Sequence, residues 1–260
     1  MSAQTDHRPG VVSAAHPADP SPLDRHEKIA LSWSGGKDST AVLHMLSDHL
    51  HRITVYTVDT GDLLPEMTEH IAMIAPMIPH FVRIDTNVAR WQIEHGLPTD
   101  LLPYSQHPVG REMAESPVKL VQRYDCCFAN LMWPLYERVK ADGNTLLIRG
   151  TKQIDMKRLP AGSGVAPDGV ELWYPLLYWS HADVFAYLQE HRIPLPRLYN
   201  SVTNAPECAR CTAWWHEGRG AYLAQHYPKL SADYQARLKV VAEEIGPSID
   251  ALAGELSAEL

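Results

Sequence analysis

The stretch Ser34-Gly35-Gly36-Lys37-Asp38-Ser39-Thr40 sets two glycines, a lysine and a carboxylate between an apolar run, Ile29 to Trp33, and a helix-period pattern through Ala41, Val42, Met45 and Leu46. Paired glycines let backbone N–H groups close on an anion with no Cβ in the way, and a helix N-terminus adds partial positive charge at the same point. Lys37 adds a full charge. The chemistry such a turn suits is the holding of phosphate. A G-x-x-x-x-G-K-[ST] loop would need glycine at position 31 and Ser or Thr at 38, where Leu31 and Asp38 stand, so this cradle is of another kind. The plain alternative is a Gly-Gly turn opening an ordinary helix.

A second set of residues suits a metal. The chain has four cysteines in two tight pairs, Cys126-Cys127 and Cys208-Ala209-Arg210-Cys211, with 80 residues between the pairs. Two tight pairs in a reducing compartment fit a shared metal better than disulfides. Three readings stand side by side: two reduced structural pairs, a tetrahedral zinc site, and an iron–sulfur cluster held by four thiolates. Zinc ligands are usually spaced C-x₂₋₄-C, which adjacent cysteines do not follow. A third set is basic: Gly150-Thr151-Lys152-Gln153-Ile154-Asp155-Met156-Lys157-Arg158 leaves an apolar run, Thr145 to Arg149, and Lys152, Lys157 and Arg158 are candidates to neutralise phosphate or sulfate. The competing reading is a solvated basic loop.

The elements that must position these groups alternate. Ile53 to Val58 reads as a second strand ending in the turn Asp59-Thr60-Gly61-Asp62; Pro65 opens a helix through Met67, Ile71 and Ala75; His80 to Ile84 reads as a third strand, and Thr145 to Arg149 as a fourth. Strands alternating with helices imply right-handed crossovers and a parallel sheet, with ligands outside the carboxyl ends of the strands, where both the S-G-G-K-D-S-T and D-T-G turns fall. From Asn87 to Glu115 the pattern dissolves among Gly96, Pro98, Pro103, Pro108 and Gly110, which predicts a lid or a loop with a short helix. Ser116-Pro117 predicts the start of a helix through Leu120, Val121 and Tyr124, past the cysteine pair to a kink before Pro134 and on towards Val139. Gly162 to Gly169 reads as a loop tip, Ser180 as an N-cap, and the chain beyond Cys211 as helical.

At 260 residues and 45% apolar content the chain buries a good core. Its formal charge of −8 argues against a broad basic surface for nucleic acid. Residues 1–25 carry Pro9, Pro17, Pro20 and Pro22 with no apolar h-region and read as a disordered leader. Nothing approaches a membrane span, and the expected setting is cytoplasmic. The organisation read here is a leader over 1–25, a nucleotide- and cluster-binding domain over 26–215 and a helical segment over 216–260 packed on it.

The S-G-G-K-D-S-T turn resembles the pyrophosphate-binding signature of the adenine-nucleotide α-hydrolase-like superfamily, which includes ATP pyrophosphatases and the phosphoadenosine phosphosulfate (PAPS) reductases. Asp59-Thr60-Gly61 resembles the family's L-D-T-G, with Val58 in place of leucine, and by that resemblance lines the adenosine side. The post-strand loop resembles G-x-R-x-x-(E/D)-x-x-x-R, with Lys152 where arginine is usual. The run from Pro175 through Trp179, Asp183 and Val184 to Ile193-Pro194 and Leu198-Tyr199 resembles another family stretch, whose apolar residues read as packing. C-C-x₈₀-C-x-x-C resembles the signature of the assimilatory adenosine phosphosulfate (APS) reductases, which implies a [4Fe–4S] cluster on Cys126, Cys127, Cys208 and Cys211. The resemblance spans residues 28 to 215. It implies an α/β fold, Rossmann-like and doubly wound with a mainly parallel sheet, binding ATP, APS or PAPS through Ser34, Gly35, Gly36, Lys37, Asp38, Ser39, Thr40, Asp59, Thr60, Gly61, Gly150, Lys152, Lys157 and Arg158.

Two departures matter. Those reductases carry a nucleophilic cysteine in a C-terminal E-C-G-x-H motif, and here no cysteine follows Cys211; they also carry basic residues after the cysteine pair, where this chain has Phe128-Ala129-Asn130-Leu131. Arg219 is the candidate to stand in for their C-terminal nucleotide-binding arginines. The sequence therefore favours ATP-pyrophosphatase-type activation coupled to sulfur transfer, with Lys37 and Asp38 as catalytic residues and Asp38 helping to place Mg²⁺. The alternatives are a divergent sulfonucleotide reductase using a partner's thiol, and a non-catalytic nucleotide- and cluster-binding subunit. The partners implied are a sulfur-donor or thiol-donor protein and, less compatible with the charge, a nucleic-acid acceptor.

Overall fold

The computed structural model describes residues 22–114, 119–155 and 163–258. Residues 22–25, read from sequence as the end of the leader, form a helical turn, α1 (Pro22–Arg25), because Leu23 inserts into the main core. Next come β1 (Ile29–Ser32), α2 (Lys37–Met45), β2 (Ile53–Asp59), α3 (Pro65–Ile74) and β3 (Phe81–Asp85). Apolar and β-branched residues make β1 and β2 strands buried on both faces, and Pro65, at the first turn of α3, lacks only an N–H the helix could not use.

The segment 87–114, expected to be a lid or a loop with a short helix, folds into α4 (Val88–His95), β4 (Leu97–Thr99), a 3₁₀ turn and α5 (Pro108–Ala114). The Asn87 side chain caps α4 by accepting from Arg90 N–H, a signal masked in the sequence by the prolines that follow. The expected helix runs from Ser116 through Leu120 and Val121 to Tyr124. Residues 115–118 lie outside the described residues, and Leu120–Gln122 is a strand, β5, parallel to β4. The N–H groups of Lys119 and Leu120 donate to the Gln106 side chain, so the backbone is satisfied without a helix.

The cysteine pair then ends a short helix, α6 (Arg123–Cys127), followed by a π-helical turn, Phe128–Met132, and α7 (Trp133–Ala141). The break expected before Pro134 is this turn. Pro134 has no N–H to offer the carbonyl of Asn130, which instead accepts from the Thr86 hydroxyl at 2.9 Å. β6 (Leu146–Arg149) follows, then a hairpin of β7 (Gly164–Val165) and β8 (Glu171–Trp173), and α8 (His181–Glu190), which starts at a capping box of Ser180 and Asp183. α9 (Arg219–His226) and α10 (Pro228–Ala258) complete the chain.

The main sheet runs β3-β2-β1-β6-β8-β7, parallel except for β7. Its order reverses beside β1, so the S-G-G-K turn opens at a switch point between β2 and β6. One face packs on α2 and α8 around Leu31, Val42, Ile148 and Val184; the other packs on α7 around Ala30, Leu135, Val139 and Leu147. The C-terminal helices pack on this body through Tyr222 and Tyr234 against Met67 and Leu198, and through Val241 and Ile245 against Leu120. No helix among the described residues is long and apolar enough to cross a membrane.

Gly150 lets β6 close on α2: a Cβ there would meet the Asp38 carbonyl carbon and Ser39 nitrogen at 2.8 Å. Backbone cannot yield as a side chain can. Gly150→Ala is expected to cost about 1–3 kcal/mol in urea unfolding, whereas Gly164→Ala, with nothing within 4 Å of its Cβ, should stay within about 0.5 kcal/mol of the parent.

Candidate functional site

The turn after β1 is built to hold a fixed backbone shape. Gly35 sits at φ +76, and a Cβ there would meet the Ile71 side chain at 2.8 Å. Ser39 Oγ donates to the Gly36 carbonyl and accepts from Ser34 N–H, while the Thr40 hydroxyl accepts from Trp33 Nε1. Ser39 and Thr40 thus brace the turn from within. The first N–H of α2, on Lys37, donates to the Tyr199 hydroxyl at 2.8 Å. Tyr199, read from sequence as packing, is a polar strut of the cradle.

Lys37 and Lys152 are both buried, at 1% and 0% exposure. Lys37 Nζ donates to Asp38 Oδ2 at 2.8 Å and to Asn204 Oδ1 at 3.1 Å. Lys152 Nζ pairs with Asp38 Oδ1 at 2.7 Å and Asp155 Oδ2 at 2.9 Å. Burial lowers the pKa of Lys37, opposed by the Asp38 carboxylate. His181, whose Nε2 lies 3.7 Å from Asp155 Oδ1, is pushed down by burial and by the two lysines. The expected convergence of Lys37, Asp38, Gly150 and Lys152 is found. Each Asp38 oxygen lies against one ammonium, so its carboxylate positions the two lysines. Lys157 and Arg158 lie outside the described residues.

The D-T-G turn falls at the same sheet edge, as its position after β2 requires. Its side chains turn away from the phosphate cradle. Asp59 Oδ1 accepts from Gly61 N–H at 2.8 Å and Oδ2 pairs with Arg83 at 2.7 Å. Thr60, 1% exposed, faces the second cysteine pair: its hydroxyl lies 3.5 Å from Cys208 Sγ and donates to the Glu207 carbonyl at 3.4 Å. Asp62 completes the clamp by accepting from the N–H and the guanidinium of Arg210, whose other arm reaches Asp233 of α10.

All four cysteines are free. Cys126, Cys208 and Cys211 share one buried cluster with Val88 and Ala213, and part-buried Cys127 lies within electrostatic reach of Cys126 and Cys211. Burial pushes the Cys126 thiol up to about 11 and Cys127 up to about 12, and raises Cys208 and Cys211, the latter opposed by Arg219. Burial thus disfavours the thiolate at each of the four. Gln92 Nε2 and Asn130 Nδ2 each reach Cys126 Sγ at 3.8 Å. Arg219, expected at the nucleotide, is buried beside the cysteines instead, donating to the carbonyls of Cys211 and Ala213. Among the described residues no three His, Cys, Asp or Glu side chains are already drawn to metal-binding geometry. The donor chemistry still fits a cation: four neighbouring thiols, two of them with amide or guanidinium donors, whose deprotonation a bound metal would drive.

Three residues of the cleft have no motif in the sequence: Arg149, Asn204 and Glu207. Arg149 alone carried a usable signal, as the last residue of a strand whose carboxyl end faces the ligand. Breaking the lysine network should be costly. Lys152→Met removes the ammonium shared by Asp38 and Asp155 and is expected to lower stability by about 3 kcal/mol, read as a reduced urea midpoint, while Tyr199→Phe removes only one hydrogen bond and should cost about 1 kcal/mol.

The sequence profile of the phosphoadenosine phosphosulfate reductase domain matches residues 28–213. The chain is 24% identical over 211 residues to the adenosine 5'-phosphosulfate reductase of Allochromatium vinosum, covering 74% of this chain and 75% of that one. It is 23% identical over 210 residues to the enzyme of that name from Neisseria meningitidis, covering 75% and 81%. Among solved structures it matches the phosphoadenylyl-sulfate reductase of Candida auris, determined as a phosphate complex, at 17% identity and a TM-score of 0.45, over 67% of this chain and 77% of that one. With a phosphate-type turn at the switch point of a parallel sheet, and a domain profile covering well over half its length, the chain belongs to the phosphoadenosine phosphosulfate reductase family.

Proposed function

We propose that this protein binds an adenine sulfonucleotide, APS or PAPS, at the S-G-G-K-D-S turn and splits it reductively beside a [4Fe–4S] cluster held by Cys126, Cys127, Cys208 and Cys211. The observation that carries the reading is a single loop. Residues 199–211 brace the phosphate cradle through Tyr199 and Asn204 and end in the cysteine pocket, where the D-T-G turn clamps them. A nucleotide seat and a thiolate pocket built from one loop suit chemistry on a group attached to the nucleotide. The names of the relatives favour a sulfonucleotide over ATP.

Such a cleavage proceeds by attack of a thiolate on sulfur: an S–S bond forms, the S–O bond to phosphate breaks, and the nucleotide leaves, as AMP from APS or as adenosine 3',5'-bisphosphate from PAPS. A second thiol then releases sulfite and leaves a disulfide, so two thiols supply the two electrons. These 260 residues hold four cysteines, all in one pocket, so the attacking thiol comes from outside them, most simply from a reduced partner protein. Lys37 and Lys152, fixed by Asp38 and Asp155, stabilise the negative charge on the departing phosphate. A bound cluster would be held by the four cysteines as thiolates on that side of the cleft. Reduced cysteines fit a cytoplasmic setting.

The same observation, no thiol left over for attack, favours a second reading: ATP is cleaved between its α- and β-phosphates and sulfur is transferred to an activated acceptor. Anaerobic protein given APS, PAPS or ATP·Mg²⁺, each with dithiothreitol, separates the readings. Sulfite with AMP from APS, or with adenosine 3',5'-bisphosphate from PAPS, supports the first; pyrophosphate from ATP supports the second; binding without turnover points to a non-catalytic subunit. The cluster is checked independently. Anaerobically purified protein is expected to hold about four irons and as many acid-labile sulfides per chain, and Cys208→Ser to lose most of both; zinc in place of iron would overturn that assignment.

A further inference from the structure

Gln92, on α4, is a buried amide held at both ends. Its Oε1 accepts from Arg237 Nη1 of α10 at 2.8 Å, and its Nε2 reaches Cys126 Sγ at 3.8 Å. A guanidinium has donors only, so the Gln92 oxygen is committed to Arg237 and the amide can present only N–H to the sulfur. Asn130, also buried, is fixed in the same sense: its Nδ2 donates to the Cys126 carbonyl at 3.0 Å and lies 3.8 Å from the same Sγ. Two amides thus aim N–H groups at one sulfur. A thiol is a weak acceptor and a charged acceptor a strong one, so this pair suits the thiolate that a metal ligand must be.

The anchor extends past Gln92. Arg237 Nε pairs with Asp233 Oδ1 at 3.4 Å, Asp233 Oδ2 with Arg210 Nη1 at 2.7 Å, and Arg210 Nε with Asp62 Oδ1 at 2.7 Å. Arg210 stands between Cys208 and Cys211. One polar chain therefore runs from the sulfur of Cys126, through two residues one turn apart on α10, to the loop of the second cysteine pair. Tyr234, Val241 and Ile245 already attach α10 to the body by apolar packing. The contact of Arg237 with a buried amide does something other than dock the helix.

We propose that Gln92 and Arg237 are positioning residues for the metal centre: Arg237 orients the Gln92 amide, and the amide donates to the Cys126 thiolate and holds that ligand on the metal. The C-terminal helix thereby steadies a centre to which it contributes no cysteine. This rests on the assignment of a metal to the four cysteines and deepens it by naming residues that support one ligand.

The test follows metal release from the anaerobically purified full chain to 4-(2-pyridylazo)resorcinol, a chelating dye that reports iron and zinc alike. Gln92→Met is expected to release metal roughly ten- to a hundredfold faster than the parent, the range of a lost partner behind a ligand. Gln92→Glu keeps the Arg237 contact, and with it the packing, but has no N–H for the sulfur; it should release as fast. Arg237→Met should also speed release, Arg237→Lys, which retains a donor for Oε1, should do so less, and Arg237→Met added to Gln92→Met should change little, because the two act in series. Parent-like release from Gln92→Glu, or effects of the two methionine changes that multiply, would overturn the relay while leaving the metal assignment intact. A parent chain that holds no metal overturns both.

Discussion

Two lysine ammonium groups buried at one turn need counter-charges within hydrogen-bond reach, since an unpaired buried charge costs several kcal/mol. Asp38 supplies one carboxylate oxygen to each lysine, Asp155 a third and Asn204 a neutral acceptor. These partners come from the first turn of α2, from the loop after β6 and from the loop after residue 200. Satisfying two cations therefore pulls three distant pieces of chain to one point. The close approach of Gly150 to the backbone of Asp38 and Ser39 is the steric side of the same demand. The result is a cradle whose charges are locked before any ligand arrives, a preorganisation that avoids reorganisation cost when an anion binds.

The cysteine pocket depends on that cradle more closely than sequence distance suggests. The Cys208–Cys211 loop has little regular structure of its own. It is held by Thr60 and Asp62 from the turn after β2, by Arg210 reaching α10 and by Arg219 on its carbonyls. The other pair rides on α6, outside the main sheet. The pocket exists only where a Rossmann-like body, an inserted two-strand unit and a C-terminal helix all meet.

The main sheet and the phosphate turn are legible in the sequence because they are local: short apolar β-branched runs, a proline at a helix start, a Ser-x-x-Asp cap and paired glycines each state their own structure. The meeting of the two cysteine pairs follows from their chemistry. What escapes is whatever depends on long-range pairing. β4 and β5 are three residues each and exist because they satisfy one another, with Gln106 finishing the job, so Leu120–Gln122 looks helical when read alone. Thr60 shows the same limit: the D-T-G turn is recognisable as a turn, but that its threonine faces a cysteine 148 residues away is a property of the folded chain.

The π-helical turn at Phe128–Met132 has a consequence for the orientation of the cysteine pair. An α-helix advances about 100° per residue, and a π turn amounts to one residue beyond the α-helical count. The azimuth of Cys126 and Cys127 is thereby uncoupled from that of Leu135 and Val139, which must face the sheet. Were the segment one unbroken α-helix, the residues that anchor α7 would dictate where the cysteines point. The extra residue, released by Pro134 and stabilised by Thr86, is a phase shifter: it lets one face of the helix serve the core while another serves the pocket shared with Cys208 and Cys211.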